Sequence, residues 1–205
     1  CSLVSGFSSA QILFLEDCFV GGVQAAGHST IGSMVGGSFN IKWEEGYTLR
    51  RAYAICYRYG RPEPHTIFVN GGGITWNAGN QAGPELPLEN GASNYFATHA
   101  VDITDAIAIE GNVVNIDLPP QTFYDFAWNW GWWGAYIVLL YESPDITTEV
   151  CTRIYIADQS QDFPQNYSFQ KPAFDTDKPL LFSIFSNRLS SFETDATGIS
   201  LNDSY

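Results

Sequence analysis

Gly131-Trp-Trp-Gly-Ala-Tyr-Ile-Val-Leu-Leu-Tyr-Glu142 is the stretch that decides the fold of this 205-residue chain. Alternate residues of a strand point to opposite faces, and here both sets are apolar: Ala135, Ile137, Leu139 and Tyr141 on one side, Tyr136, Val138 and Leu140 on the other. The pattern therefore predicts a strand that is covered on both faces, in the middle of a sandwich. The run is too short to cross a bilayer as a helix, and Ser143-Pro144-Asp145 ends it.

The rest of the chain repeats short strand patterns that are separated by turns. Val114, Ile116 and Leu118 alternate with polar residues, and Ile154 and Ile156 point to one side of a later strand. No amphipathic helix longer than about two turns is visible in the pattern. We therefore expect an all-β fold, a β-sandwich or jelly roll, with residues 41–205 as the β-sandwich domain.

Residues 1–40 have a different composition. They hold one apolar segment, Gln11-Ile-Leu-Phe-Leu15, followed by sequence rich in Gly, Ala and Ser. Glycine-rich sequence is costly to order and forms no core by itself. One interpretation is an N-terminal arm or a strand added to a neighbouring subunit, and the other is an ordinary first hairpin of the same domain.

The charge of the chain limits its partners. The formal net charge is −13 and only nine residues are Lys or Arg, which argues against nucleic acid because phosphate binding needs cations. Only 15% of the residues are charged and 15% are aromatic, a composition typical of an exported surface. Because the chain begins at Cys1 and not at Met, we expect a processed product that has lost its signal peptide and is located outside the cell.

The four cysteines, Cys1, Cys18, Cys56 and Cys151, form an even set without the spacing of a metal or haem motif. We expect disulfides, and of the three connectivities we favour Cys1–Cys18 with Cys56–Cys151. Lipidation of Cys1 after signal cleavage is the alternative, but it would leave one other thiol without a partner.

The most unusual feature is the aromatic segment that precedes the central strand. It holds four tryptophans, Trp128, Trp130, Trp132 and Trp133. Tryptophans with one wet edge serve sugar stacking and subunit interfaces equally well. They also fill the ends of sandwich cores, so core packing, a subunit interface and a glycan platform all remain open.

Signals for chemistry are weak. Each of the three histidines, His28, His65 and His99, stands alone, which favours a surface or satisfied core position over a ligand or a catalytic base. Asp102 with Asp105, or Glu44 with Glu45, are carboxylate pairs of the kind that glycosidases use, but backbone capping is the more ordinary task of Asp102. Structural calcium held by Asp102, Asp105 and Asn112 is a candidate, and no other cofactor is expected. Two sequons place candidate glycosylation sites at Asn166 and Asn202.

Four motifs occur in an order that resembles a known family. They are Arg51-Ala-Tyr-Ala-Ile-Cys-Tyr57, Ile67-Phe-Val-Asn-Gly71, His99-Ala-Val-Asp-Ile-Thr-Asp105 and Gly134-Ala-Tyr-Ile-Val-Leu-Leu-Tyr-Glu142. The order is similar to that of uncharacterised secreted or anchored β-sandwich proteins of methanogenic archaea and some bacteria. The Val-Asp-Ile-Thr-Asp element also resembles galactose-binding-like jelly rolls. The family implies a cell-surface location and supplies no catalytic residues.

These observations together favour a structural protein. We expect a non-enzymatic subunit of an extracellular assembly, such as a sheath, surface layer or filament, whose partners are copies of itself and which has no membrane span. The alternative is a lectin-like, carbohydrate-binding jelly-roll module of a surface protein. The two differ in whether the purified protein assembles or binds glycans.

Overall fold

The computed structural model describes residues 11–28, 36–42, 44–60, 63–83, 86–87, 95–107, 113–121 and 131–157. In these ranges the chain forms strands and two three-residue 3₁₀ helices, η1 (Ala78–Asn80) and η2 (Thr104–Ala106). The strands are β1 (Gln11–His28), β2 (Gly37–Lys42), β3 (Thr48–Tyr59), β4 (His65–Val69), β5 (Gly72–Trp76), β6 (Leu86–Pro87), β7 (Tyr95–Asp102), β8 (Val113–Leu118), β9 (Gly131–Trp132), β10 (Ala135–Glu142) and β11 (Glu149–Ala157).

The strands form two antiparallel sheets. The main sheet has the order β11-β1-β10-β3-β7-β6, with the short β9 also paired to β3. The second sheet has the order β2-β8-β4-β5. The expected all-β sandwich is confirmed, whereas jelly-roll connectivity stays a prediction.

The central strand lies where its pattern predicts. β10 is paired between β1 and β3, and Leu139 and Leu140 are both fully buried although they face opposite sides. The inner core lies between the two sheets and includes Ala135, Ile137 and Leu139 from β10. The outer core lies on the other face and includes Val138 and Leu140. The prediction of a strand covered on both faces is thus confirmed.

The outer core is covered by a ribbon of β1 and β11. β1 changes partner between Val20 and Gly21: its first part pairs with β11 and its second part with β10. Although β10 separates β1 from β3 in the sheet, Phe14 of β1 packs edge-on against Tyr53 of β3, with ring centroids 5.3 Å apart. Asp17 of β1 likewise binds Arg50 of β3. The β1–β11 ribbon therefore folds across the outer face of β10 and β3.

The position of β1 bears on the two interpretations of residues 1–40, for residues 11–28 and 36–40 of that region. Residues 11–28 lie between β10 and β11 of their own chain, and β2 begins at Gly37 and joins the second sheet. The described part of this region is thus built into the sandwich and is not a separate arm. The physical reason is the apolar outer face, which β1 covers with Phe14, Leu15 and Phe19.

The favoured cysteine pairing is wrong. Cys18 is bonded to Cys151, which lies directly opposite it in the β1–β11 register with the two Cα atoms 4.1 Å apart. Cys56 is a free, buried thiol. It belongs to the inner core, whereas Cys151 lies in the ribbon on the other side of the main sheet, so the two sulfurs cannot meet. Cys1 lies outside the described residues.

Candidate functional site

A pair of arginines stands at a bulge in β3, on the outer face of the main sheet. Arg51 is opposite Leu140 and Leu49 is opposite Tyr141, so Arg50 is an extra residue on β3. A bulge of this kind changes which way the following side chains point. Leu49 consequently packs against the inner core. Without the bulge, strict alternation from Ala52 would have placed Leu49 on the outer face.

The bulge brings both arginines to one carboxylate of the ribbon. Arg50 donates two hydrogen bonds to Asp17, at 2.9 and 3.0 Å, and Arg51 lies 3.4 Å from the same carboxylate. Arg50 also binds Glu142 of β10 at 2.8 Å and lies 5.2 Å from the centroid of the Phe19 ring. The hydrogen bonds from Arg50 hold the pKa of Asp17 below its ordinary value. Arg50 thus connects β1, β3 and β10 through charge-assisted hydrogen bonds, which are stronger than neutral ones.

Beside the arginines is a polar surface pocket of about 430 Å³ that contains two of the three expected calcium ligands. Its lining is Arg50, Arg51, Asp102, Thr104 and Asp105. Two guanidinium groups next to the carboxylates oppose the binding of a divalent cation, because like charges repel strongly at close range. Asn112, the third expected ligand, lies outside the described residues. In the part of the chain that the structure describes, no group of three or more His, Cys, Asp or Glu residues lies close enough together to hold a metal ion.

Asp102 has a structural task. Its carboxylate accepts hydrogen bonds from the backbone N–H of Thr104 at 2.9 Å and from the Thr104 hydroxyl at 2.6 Å. The Thr104 hydroxyl oxygen in turn accepts the backbone N–H of Ala52 at 2.9 Å. The Val-Asp-Ile-Thr-Asp motif therefore attaches η2 to β3 by a relay of hydrogen bonds. Glu44 and Glu45, the other carboxylate pair, are exposed just before β3.

A second polar centre is buried at one end of the sandwich around His99, which is fully buried on β7. Its Nε2 accepts a hydrogen bond from Arg58 Nε at 3.0 Å. Its Nδ1 lies 2.8 Å from the carbonyl oxygen of Asn77, to which it donates in the neutral tautomer. Both ring nitrogens are thus engaged, and the prediction of a satisfied core histidine is confirmed for His99. His28 and His65 are half-buried.

Two of the four candidate tryptophans belong to this end of the core. Trp132 and Trp133 are only 3% and 4% exposed. The Trp132 ring packs edge-on against His99 at 4.7 Å, and its Nε1–H donates to the carbonyl of Glu63 at 2.8 Å. Rings buried in this way have no face left for a sugar or a neighbouring subunit, so core packing is the correct interpretation for both. Trp128, Trp130, Asn166 and Asn202 lie outside the described residues.

Sequence reasoning missed the arginine pair and Arg58. A signal for the pair was present, because two adjacent charges interrupt the alternation at the start of an aromatic strand, which is typical of a bulge. Arg58 lies between Tyr57 and Tyr59 in β3, and a buried arginine needs acceptors nearby. One acceptor is local, the carbonyl oxygen of Gly60, whereas His99 of β7 and Gln81 after η1 are far away in the sequence and could not be connected to Arg58 by spacing.

Comparisons with known proteins return nothing for this chain: no family model, no curated protein and no solved structure matches it. The resemblance to methanogen surface proteins therefore stays a prediction. The Cys18–Cys151 bond is compatible with a secreted protein, because disulfides persist in oxidising compartments. None of the described residues form a helix that is long and apolar enough to span a membrane.

Proposed function

We propose that this chain is a load-bearing structural subunit of an extracellular assembly, such as a cell-surface sheath, surface layer or filament, and that it is not an enzyme. The observation that carries the proposal is the place of the disulfide relative to the ends of the first and last described strands. Gln11, at the start of β1, is paired with Ala157, at the end of β11. The first and last described strands are therefore neighbours that run in opposite directions.

This arrangement determines how tension acts on the domain. A pull on the chain segments beyond β1 and β11 opens their pairing from the Gln11–Ala157 end, one pair at a time. The opening stops at Cys18–Cys151, because the covalent bond carries the load from there on. The bond bridges a sequence separation of 133 residues, and the part of the chain between the two cysteines is shielded from the force.

The ribbon is also held by ion pairs on both of its strands. Asp17 on β1 binds Arg50 of the body, and Arg153 on β11 binds Glu16 on β1. Exposed ion pairs add little stability one by one. Here the Arg153–Glu16 pair connects the same two strands as the disulfide, and the Asp17–Arg50 pair connects β1 to β3. A domain whose first and last described strands are joined to each other and to the main sheet in this way suits a repeating unit under mechanical load.

The roles of the residues considered for catalysis support a structural protein. Asp102 caps the turn at η2, and His99 is buried with both nitrogens hydrogen-bonded. Trp132 and Trp133 fill the core. Each side chain is used to hold strands and loops together, as expected for a building block.

The experiment is a direct assay of assembly. Oxidised, purified protein would be examined by sedimentation velocity and negative-stain electron microscopy over a wide range of concentrations, with and without calcium at high salt. We expect ordered polymers or sheets with a regular repeat. A protein that stays monomeric under all of these conditions contradicts the proposal.

The Cys18→Ser/Cys151→Ser double variant is the matched control for the role of the bond. If the disulfide strengthens the subunit and does not form the contact between subunits, this variant assembles with the same repeat but its polymers lose their order at lower temperature. Polymers that fall apart into monomers in the variant at low temperature would instead mean that the bond joins neighbouring copies.

A further inference from the structure

The outer face of the second sheet has a regular arrangement of side chains that the proposed function does not use. The strand registers place Ser38, Asp117, Phe68 and Gly73 in one row across β2, β8, β4 and β5. Adjacent strands are about 4.8 Å apart, so the row is about 14 Å long. The next row contains Asn40 opposite Asn115.

Phe68 is the one aromatic side chain that the four described strands present on this face. Its neighbours on the inner side of β4, Ile67 and Val69, are fully buried, whereas Phe68 is 39% exposed. Gly73, directly opposite, has no side chain to cover it, and a Cβ there would lie 3.9 Å from the Phe68 ring. The side of the Phe68 ring next to Gly73 is therefore not covered by a side chain from β5.

The side chains around Phe68 are hydroxyls, amides and one carboxylate. Ser38, Asn40, Asn115, Asp117 and Thr75 are all exposed. Together they offer hydrogen-bond donors and acceptors on both sides of an aromatic ring. Thr66 and Thr75 are linked by their hydroxyls at 2.7 Å, which fixes the orientation of both next to the ring.

The charge of this face differs from that of the whole chain. The chain carries −13, but the four strands of this sheet contain one cation, Lys42, and one carboxylate, Asp117. The net negative charge of the chain opposes anions, and one cation with one carboxylate on this face offers little to attract an ion of either sign. The charge thus favours an uncharged ligand at this face.

We propose that the outer face of the second sheet binds a neutral polysaccharide, with the apolar face of one pyranose ring on Phe68 and sugar hydroxyls on the surrounding hydroxyl, amide and carboxylate groups. Sugars have this combination of an apolar C–H face and a polar rim, which matches a ring with polar neighbours. A protein partner is a poorer match, because the centre of a protein interface is enriched in several aromatic and apolar side chains and here there is one. The site is separate from Trp132 and Trp133, the two described tryptophans among those considered for a glycan platform, which are buried in the core.

The test is affinity electrophoresis of the intact oxidised protein in native gels that contain hydroxyethyl cellulose, galactomannan or glycol chitin. We expect one or more of these polymers to retard the protein. Phe68→Ala should weaken that binding by about tenfold or more, as the loss of a central aromatic contact does in other interfaces, whereas Phe68→Tyr should keep it. Asp117→Ala should also weaken the binding, because it removes the acceptor next to the ring.

Leu13→Ala is the matched control, since Leu13 is another exposed apolar residue and lies on the ribbon of the main sheet. It should bind like the parent protein, and thermal unfolding should show that all variants are folded. Absence of retardation in every polymer overturns the proposal. The proposal is also overturned if Phe68→Ala is retarded as strongly as the parent protein. The same holds if Leu13→Ala loses as much retardation as Phe68→Ala does.

Discussion

Thr104 shows how a single hydroxyl connects two elements. It accepts a hydrogen bond from the backbone N–H of Ala52 and donates one to Asp102. Ala52 is fully buried, so its N–H has no access to water. Thr104→Val keeps the shape of the side chain but leaves this N–H without its acceptor. We expect a loss of about 1–3 kcal/mol in the free energy of unfolding, measured by urea denaturation.

Thr75→Val is the control for this substitution. Thr75 is exposed on β5. Among the described residues, its hydroxyl forms a hydrogen bond only with the hydroxyl of Thr66, at the solvent-facing surface. Its replacement should change the free energy of unfolding by no more than about 0.5 kcal/mol. Equal effects of the two valine substitutions would contradict the role given to Thr104.

His65 predicts a dependence of stability on pH. Burial beside Trp76 lowers the pKa of His65 below its ordinary value. In the unfolded chain a histidine takes up its proton near pH 6.5, so the unfolded state gains protons first as the pH falls. The contribution of His65 to the free energy of unfolding should therefore be constant above about pH 6.5. It should decrease as the pH falls from there to the lower pKa that His65 has in the folded state.

Urea denaturation between pH 8 and pH 5 measures this dependence. His65→Gln removes the titrating group, so the decrease below pH 6.5 should be shallower than in the parent protein even if the stability at pH 8 also changes. His28→Gln is the control for replacing a histidine elsewhere. Parallel curves for the parent and His65→Gln would show that His65 contributes nothing to the slope.

At the scale of the elements, β1 depends on the glycine at which it changes partner. A Cβ on Gly21 would lie 2.0 Å from the carbonyl oxygen of Tyr141 and 2.8 Å from the Phe19 ring. One contact is to backbone, which cannot move aside without breaking the pairing of β1 with β10. We expect Gly21→Ala to destabilise the protein by about 1–3 kcal/mol or more, as overpacking of a buried site does.

Gly73→Ala is the matched control in a strand. Its Cβ would meet only the methyl group of Thr66 at 3.3 Å and the edge of Phe68 at 3.9 Å, both side-chain atoms on a solvent-facing surface. We expect the free energy of unfolding to stay within about 1 kcal/mol of the value for the parent protein. The higher strand propensity of Ala and the crowding by its methyl group act in opposite directions there. The measurement is the midpoint of urea denaturation. A larger effect at Gly73 than at Gly21 would be inconsistent with the close approach of β1 to the backbone of Tyr141 at Gly21.

For the whole molecule, the disulfide determines how far the chain extends under force. Without the bond, unfolding by a pull at the two termini releases the segment between Cys18 and Cys151, with its sequence separation of 133 residues, and adds on the order of 450 Å of contour length. With the bond intact this increment should be absent. Single-molecule force spectroscopy before and after reduction measures the difference.

The Cys18→Ser/Cys151→Ser variant should give the long increment in both conditions. In the chain-entropy model, closing a loop of this length stabilises the protein by about 5 kcal/mol, so the variant should also be less stable in urea. If the oxidised parent protein also showed this additional contour length, the bond would not carry the load within the molecule.

The sequence by itself determined the all-β class and the main features of the core. The alternation in β10 placed Leu139 and Leu140 on opposite, buried faces, and the alternation in β8 placed Val114, Ile116 and Leu118 inward. These predictions succeeded because a strand repeats every two residues, so its pattern is local and can be recognised without knowing its partners. Backbone capping was likewise the expected task of Asp102, because it lies in a short turn motif, and its carboxylate accepts the backbone N–H of Thr104.

Only the tertiary structure decided which distant residues meet. The pairing of Cys18 with Cys151, the convergence of Arg50 and Arg51 on Asp17, and the row that contains Phe68 all depend on strand order and register. A bulge or a change of partner shifts the register by one residue and turns a side chain to the other face. Such shifts arise from contacts between strands far apart in the chain, so neither spacing nor composition records them.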